Sequence, residues 1–391
     1  MAITPGVIDA DCHIVEPFSI WQTHLDPKFS RHAPRLVPRR TRESTSARVA
    51  RLGDRGLLPL PSEGRFAGRA IMRDLSEQAL LSITAAAYAR RDELERLDRP
   101  ETYLAMLDRE GIAACALYPT YVSSIVTMAD VEAPLVEAVV DAYNRWLRDF
   151  CSVAPARLLG VGVACRHRPE SLPDQVARFA DWGFRAVMIR PNPFDGRSIG
   201  DPAHEGLWSA CTRYDMAVAV HEGAHSWGPA VGADRFRTVF ARHACSHPME
   251  AMMAYLSLLE SGVFVRHPAL RIGFLESWAG WVPFWLARLD EEYELLSGEV
   301  VDRIPERPST YFRRHCMVVA EVDEPGYARL VRSIGIDNVM FGSDFPHMDH
   351  RPGALSTLEQ HRARLGGQLD LISSVNPARF YRVGVGADEL R

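Results

Sequence analysis

Two aspartates and a histidine interrupt an apolar stretch near the start of the sequence, VIDADCHIVEP (7–17). Asp9, Asp11 and His13 occur at every second position, so an extended strand would place their side chains on one face. Ionisable groups on a buried strand are costly unless they are paired with other charges or bound to a metal ion. The stretch therefore predicts either a buried ionic cluster or a metal site.

Further imidazole and carboxylate side chains occur where later apolar runs end. They are His221 and Glu222 in AVAVHEG, Glu276 in RIGFLES, and Asp344 and His347 in NVMFGSDFPH. Taken alone, each has a structural explanation, such as a histidine bonded to the backbone or an aspartate that caps a turn. Together they are the ligand types of a divalent metal ion, which favours a metal site if the fold brings them together.

The arrangement of apolar runs predicts such a fold. Eight short runs rich in β-branched residues alternate with amphipathic helices, as in a parallel sheet covered by helices. The predicted strands are 7–14, 114–120, 158–165, 186–191, 217–223, 271–277, 316–322 and 338–346. The clearest predicted helices are 132–151, 171–183, 248–262, 281–298 and 325–335. This order predicts an α/β fold, a single-domain (β/α)8 TIM barrel; an open doubly wound sheet is the alternative, although no GxGxxG follows the first strand.

Catalytic residues of (β/α)8 barrels lie at the carboxyl ends of the strands, so the polar residues above would share one face. Arg190, at the end of the fourth strand, is a candidate partner for an anionic group of a substrate, or else part of a salt bridge at the barrel rim. The stretch 18–100 is too long for an ordinary loop between strand and helix. Because this insertion follows the first strand, we expect it at the active-site face, as a lid or pocket wall or as a surface insertion.

Composition excludes several kinds of function. Lys28 is the only lysine, so a Schiff base or a carbamylated lysine bridging two metal ions has almost no candidate. A net charge of −5 gives no indication of nucleic-acid binding, and no apolar run approaches the ~20 residues of a membrane span. Seven scattered cysteines without a CxxC motif argue against a disulfide framework or structural zinc. We expect a cytoplasmic protein.

The sequence resembles the decarboxylase-like branch of the amidohydrolase superfamily, the amidohydrolase 2 family, which contains aminocarboxymuconate-semialdehyde decarboxylase and γ-resorcylate decarboxylase. The resemblance extends over about residues 5–382. It is carried by the DxDxH start, HEG after the fifth strand, GSDFPH, RHACSHPMEAMMA, FLESWAGWVPFWLARLDEEY and NPARFY. It implies a distorted barrel that holds one divalent metal ion through Asp11, His13, His221 and Asp344.

Two positions depart from the pattern common in this branch. Asp11 and His13 stand where many members have His-x-His, and Glu276 stands where many have a histidine after the sixth strand. The first change makes the ligand set two carboxylates and two imidazoles, which makes Mn²⁺ or Fe²⁺ more competitive, while Zn²⁺ remains the expected ion. The second leaves Glu276 or His247 as the candidate acid or base. Asp9 is expected to be structural.

The resemblance implies a metal-dependent lyase that removes CO2 from an aromatic or unsaturated carboxylic acid. Asp344, or a histidine beside it, would deliver the proton, and Arg190, Glu222 and His347 are candidate substrate contacts. The alternative is a hydrolase of a C–N, C–O or C–C bond that uses metal-bound water, and a barrel that only binds a ligand is a third possibility. The expected partner is a small-molecule substrate, within a homo-oligomer (dimer or tetramer).

Overall fold

Eight parallel strands, β1–β8, form the centre of the structure, a computed structural model. The residues that it describes are 6–37, 63–73, 97–223, 226–347 and 353–384. The strands are Val7–Ile14, Ile112–Pro119, Leu158–Val163, Ala186–Ile189, Ala217–His221, Ile272–Leu275, Cys316–Val319 and Val339–Met340. Each pairs in parallel with the next along the chain.

The residues that follow β8 close the sheet against β1. The Ala10 amide donates to the Phe341 carbonyl at 2.9 Å, and Cys12 and Phe345 form a parallel bridge. The result is the (β/α)8 barrel that the alternation of strands and helices predicts, and the doubly wound alternative is wrong. Its strands are almost entirely buried, which explains their near-continuous apolar sequences.

Helices surround the barrel. The longer ones are Pro100–Glu110, Ala133–Cys151, Leu172–Asp181, Glu205–Arg213, Val239–Glu260, Trp281–Leu296, Pro308–His315, Tyr327–Ile334, Ala354–Gln360 and Asn376–Tyr381. Short helices are Ile20–Thr23, Val122–Ile125, Val263–Arg266, Arg362–Leu365 and Gln368–Asp370. Among the described helices, none has both the length and the apolar character needed to cross a bilayer.

One helix begins earlier than the sequence predicts. The sequence places its start at Pro248, because proline favours the first helical position. In the structure the helix begins at Val239 after Thr238, whose side chain accepts a hydrogen bond from the Ala241 amide, and Pro248 lies inside it. His247 is therefore an interior helical residue.

The described part of the 18–100 insertion contains a small antiparallel sheet of Arg35–Val37, Glu63–Phe66 and Arg69–Ala70. The Trp227 indole donates to the Ala70 carbonyl at 3.0 Å. Because Trp227 follows β5, this part of the insertion packs against a loop on the active-site face of the barrel. The stretches 38–62 and 74–96 lie outside the described residues, so a lid or pocket wall there stays a prediction.

Candidate metal centre

Two histidine rings meet at the carboxyl ends of β1 and β5. The Nε2 atoms of His13 and His221 are 3.1 Å apart, and both side chains are buried. The other nitrogen of each ring faces a backbone carbonyl: His13 Nδ1 lies 3.0 Å from the Pro119 oxygen, and His221 Nδ1 lies 2.7 Å from the Glu222 oxygen. These two carbonyls fix the orientation of the rings.

The same contacts assign the tautomers. A carbonyl oxygen accepts only, so each Nδ1 carries the proton and each neutral ring turns an Nε2 lone pair towards the other ring. Two lone pairs at this distance repel each other unless positive charge lies near them. Burial lowers the pKa of His221, but the carboxylates of Asp11 and Glu276 outweigh it and raise that pKa above its usual value. This point of the barrel therefore attracts positive charge, and a metal ion fits it.

Two carboxylates complete the arrangement. Asp11 Oδ1 lies 3.3 Å from His221 Nε2 and 3.6 Å from His13 Nε2, while Asp344 Oδ1 lies 3.3 Å from His13 Nε2. The Asp344 amide donates to the Asp11 carbonyl at 2.8 Å. A Cβ on Gly342 would lie 2.7 Å from the Asp11 Cβ, so glycine is needed for this close approach of β8 to β1. Imidazole nitrogens and carboxylate oxygens that converge in this way suit a divalent metal ion.

Glu276 reaches the same point from the end of β6. Its Oε2 atom lies 3.6 Å from His221 Nε2 and 3.8 Å from His13 Nε2, and its amide donates to Asp11 Oδ2 at 3.2 Å. Glu276 and Asp344 both have left-handed backbone conformations, with φ of 45° and 54°. Such conformations are costly for residues other than glycine and concentrate at functional sites. The sequence groups Glu276 with the possible metal ligands and predicts it as an acid or base, although the four ligands implied by the resemblance do not include it.

The other Glu276 oxygen contacts His247. The distance from Oε1 to His247 Nε2 is 3.1 Å, and His247 Nδ1 lies 3.1 Å from Ser246 Oγ. Burial would raise the pKa of Glu276, but its hydrogen bond to His247 and the nearby His221 hold it well below the usual range. Burial would lower the pKa of His247, but Glu276 raises it. The two side chains therefore form an ion pair of carboxylate and imidazolium.

A second pair of carboxylate and histidine, Asp344 and His347, also contacts His13. His347 Nδ1 lies 2.9 Å from Asp344 Oδ1, and the ring stacks on His13 with centroids 3.8 Å apart. His347 Nε2 lies 2.9 Å from the Thr120 hydroxyl, a contact that no sequence motif indicates. Thr120 lies just after β2, and buried Glu16 fixes the backbone there. The Glu16 carboxylate accepts hydrogen bonds from the backbone amides of residues 120, 121 and 122.

Asp9 lies outside the centre. The register of β1 against β2 shifts between Asp9 and Cys12, so the strict alternation expected for residues 9, 11 and 13 is wrong. Asp9 Oδ1 accepts from the Asp11 amide at 3.1 Å and from the Ser343 amide at 3.0 Å. Burial raises the pKa of Asp9 to about 6. These contacts tie β1 to the residues that follow β8.

Arg190 and Glu222 form a buried ion pair beside the centre. Arg190 Nη2 lies 3.2 Å from Glu222 Oε1, and each side chain is only 2% exposed. Neither is among the described residues that line the cavity next to the centre. Of the residues predicted from sequence, the structure brings Asp11, His13, His221, Asp344, Glu276, His247 and His347 together, and it places Arg190 and Glu222 behind His221.

A cavity of about 750 Å³ opens beside the centre. Its described lining residues are His243, Ala244, His247, Pro248, Glu276, Trp278, Gly280, Trp281, Glu321, Asp323 and Asp344. Glu276 therefore faces the cavity and both histidines, and Asp344 faces the cavity and His13. Two tryptophan rings in the wall suit a planar or apolar ligand.

Solved structures with the same fold include proteins that bind metal. An amidohydrolase from Mycobacterium avium subsp. paratuberculosis K-10 is 20% identical, with a TM-score of 0.73 over 96% of this chain and 99% of that one. A 5-carboxyvanillate decarboxylase from Novosphingobium aromaticivorans DSM 12444, complexed with manganese and 4-hydroxy-3-methoxy-5-nitrobenzoic acid, is 17% identical, with a TM-score of 0.66 over 96% of each chain. At these identities the likeness establishes the fold.

Sequence comparisons identify the family. A curated relative, the 2-amino-3-carboxymuconate-6-semialdehyde decarboxylase of Dictyostelium discoideum, is 25% identical over 204 residues. That match spans about half of each protein, 52% of this chain and 55% of the relative. The amidohydrolase family model matches residues 8–383, nearly the whole chain. The chain therefore belongs to the amidohydrolase family, as its resemblance predicts.

Proposed function

We propose that the protein is a metal-dependent carboxy-lyase that converts an aromatic or unsaturated carboxylic acid to CO2 and the protonated product. The observation that carries the proposal is the convergence of two Nε2 lone pairs with the carboxylates of Asp11, Asp344 and Glu276 at the wall of a cavity that contains two tryptophans. The decarboxylase activity named for the curated relative supports the same reaction type.

Asp11, His13, His221 and Asp344 would hold the metal, with Glu276 as a further donor. A divalent ion there supplies a positive charge that binds a carboxylate and stabilises the negative charge that develops as the C–C bond breaks. Two imidazoles with several carboxylates suit Zn²⁺ and also Mn²⁺ or Fe²⁺.

Asp344 is the proposed proton carrier. Decarboxylation leaves an electron pair on the carbon that loses CO2, and a proton must reach that carbon for the atoms and charge to balance. Asp344 faces the cavity, and its Oδ1 is hydrogen-bonded to His347 Nδ1. The other ring nitrogen of His347 is hydrogen-bonded to the Thr120 hydroxyl. The contacts from Thr120 through His347 to Asp344 can orient the Asp344 carboxyl group and return a proton to it after each turnover.

The ion pair of His247 and Glu276 has a different role. The imidazolium of His247 offsets the negative charge of Glu276, so Glu276 stays ionised while it faces His13 and His221. His247 also lines the cavity, where its positive charge can attract an anionic substrate. By the resemblance, Glu276 stands where many members of the family have a histidine after the sixth strand, and His247 supplies an imidazole beside it.

A screen of carboxylic acids tests the reaction. We expect metal-loaded protein to release CO2 from at least one benzoic acid with a neighbouring hydroxyl or amino group, and the metal-free protein to release none. Isotopic labelling of the carboxyl carbon identifies the source of the CO2. Hydrolysis of amides or esters without CO2 release from any acid in the panel would contradict the proposal.

We also expect about one divalent metal ion per chain, because the two groups of described donors share His13 and the sequence has only one lysine, Lys28, to bridge a pair of ions. Lys28 itself is paired with Asp26 and largely exposed. Elemental analysis of protein purified without chelators measures the stoichiometry and names the metal. Two fully occupied sites, or no transition metal, would contradict the prediction.

A further inference from the structure

The guanidinium of Arg190 holds the turn that follows β5. Arg190 comes directly after β4, and its Nη2 atom donates to the Gly223 carbonyl at 2.8 Å. The same nitrogen lies 3.2 Å from the Glu222 carboxylate. One buried side chain therefore pairs with the carboxylate of Glu222 and donates a hydrogen bond to the backbone of the residue after it.

This turn also carries the carbonyl that orients His221. The Glu222 oxygen that faces His221 Nδ1 at 2.7 Å belongs to the peptide between Glu222 and Gly223. Arg190 forms an ion pair with the side chain before that peptide and a hydrogen bond with the carbonyl after it, so we expect it to restrict rotation of the peptide plane. A rotation would move the Glu222 carbonyl away from Nδ1, and the ring would lose its preferred tautomer and direction.

Gly223 allows this close approach. A Cβ built on Gly223 would lie only 2.7 Å from Arg190 Nη1, closer than non-bonded atoms tolerate. The HEG motif thus combines a histidine at the metal centre, a carboxylate for Arg190, and a residue without a side chain where the guanidinium lies against the backbone.

We propose that Arg190 is a positioning residue for the metal centre, acting on His221 through Glu222 and Gly223. Its contacts keep the proton on His221 Nδ1 and the Nε2 lone pair directed at the metal position, which raises metal affinity. This inference rests on the metal centre of the proposed function but not on the reaction catalysed there. It assigns Arg190 a different role from the substrate contact that the sequence suggests.

Loss of stability alone cannot test this role. Removing one partner of a buried ion pair leaves the other charge uncompensated, so any Arg190 variant is expected to melt earlier. Arg166 controls for the loss of a buried cation near Arg190 and Glu222, since it is also buried, follows the neighbouring strand β3, and donates to the Asn192 carbonyl at 2.9 Å and not to the turn. Its removal should lower stability without moving His221.

The test measures the dissociation constant of Zn²⁺ and of Mn²⁺ by competition with a chromophoric chelator, together with the melting temperature of the metal-free protein. Partners that orient a metal-binding histidine usually contribute 10- to 100-fold in affinity, so Arg190→Gln should bind metal at least ~10-fold more weakly than wild type. Gly223→Ala should act in the same direction because it displaces the guanidinium while keeping its charge. Arg190→Lys should recover part of the loss, and Arg166→Gln should stay within about 3-fold of wild type.

Gly223→Ala carries the test if Arg190→Gln fails to fold. Wild-type affinity in both Arg190→Gln and Gly223→Ala would overturn the inference, as would equal losses in Arg190→Gln and Arg166→Gln. A higher KM with unchanged metal affinity would also overturn it and return Arg190 to substrate binding. Metal binding without decarboxylation would refute the proposed reaction and leave the role of Arg190 standing, whereas a wild-type protein that binds no metal would overturn both.

Discussion

His221→Ala is expected to lose most of its metal together with its activity. The substitution removes one of the two imidazole nitrogens that meet at 3.1 Å, and it is the imidazole nitrogen that lies nearest to Asp11 Oδ1, at 3.3 Å. Since partners that only orient a ligand contribute 10- to 100-fold, loss of a ligand itself should weaken metal binding by more than ~100-fold. Turnover should fall at least in proportion.

His32→Ala is the control. His32 is exposed and lies at the end of a 3-10 helix, Pro27–His32, in the insertion. It should keep wild-type metal content and turnover. Both variants are compared at one pH. Elemental analysis gives their metal content, and the rate under saturating substrate gives their turnover. Equal metal occupancy in wild type and His221→Ala would remove β5 from the site.

The barrel could be predicted because its strands are buried on both faces. Their apolar runs leave a signal that does not depend on tertiary detail, and the predicted bounds of β1, 7–14, match the observed strand Val7–Ile14. The bounds of the last strand are harder to predict from sequence. The expected strand 338–346 contains a regular part of only Val339–Met340, since the backbone beyond it is irregular and bonds across to β1. The left-handed conformation of Asp344 is part of that irregularity.

The parts of the site that sequence did not reveal depend on contacts between distant segments. Nothing near Thr120 indicates that its hydroxyl meets His347, because 227 residues separate them. The approach of Glu276 to both imidazoles depends on the positive φ at the end of β6. The start of the helix Val239–Glu260 is predicted too late, at Pro248, because a proline inside a helix is much rarer than one in its first turn. The cytoplasmic location and the homo-oligomer stay predictions.

Asp344 and Asp9 provide a test of which buried aspartate takes part in the chemistry. Both lie where β1 and the end of β8 meet, and both are almost fully buried. Asp344 faces the cavity, with Oδ1 near His13 and His347. Asp9 Oδ1 instead accepts hydrogen bonds from two backbone amides, and the side-chain oxygen of an asparagine can accept the same bonds. The same substitution should therefore have different consequences at the two positions.

Asp344→Asn keeps the size of the side chain and a carbonyl oxygen that can still bind metal, but it removes the group that can gain and release a proton. We expect it to retain a substantial part of its metal and to lose at least ~100-fold in turnover, the usual scale for a positioned acid or base. Asp9→Asn should lower the melting temperature, because it places a buried amide NH2 where Asp9 Oδ2 has no hydrogen-bond partner among the described residues. It should leave turnover per folded molecule within ~10-fold, since Asp9 takes no part in the proton transfer. Metal content, melting temperature and steady-state rate in one buffer separate these effects. Normal turnover in Asp344→Asn with an inactive Asp9→Asn would mean that the proton carrier is Asp9, and the roles of the two aspartates would have to be exchanged.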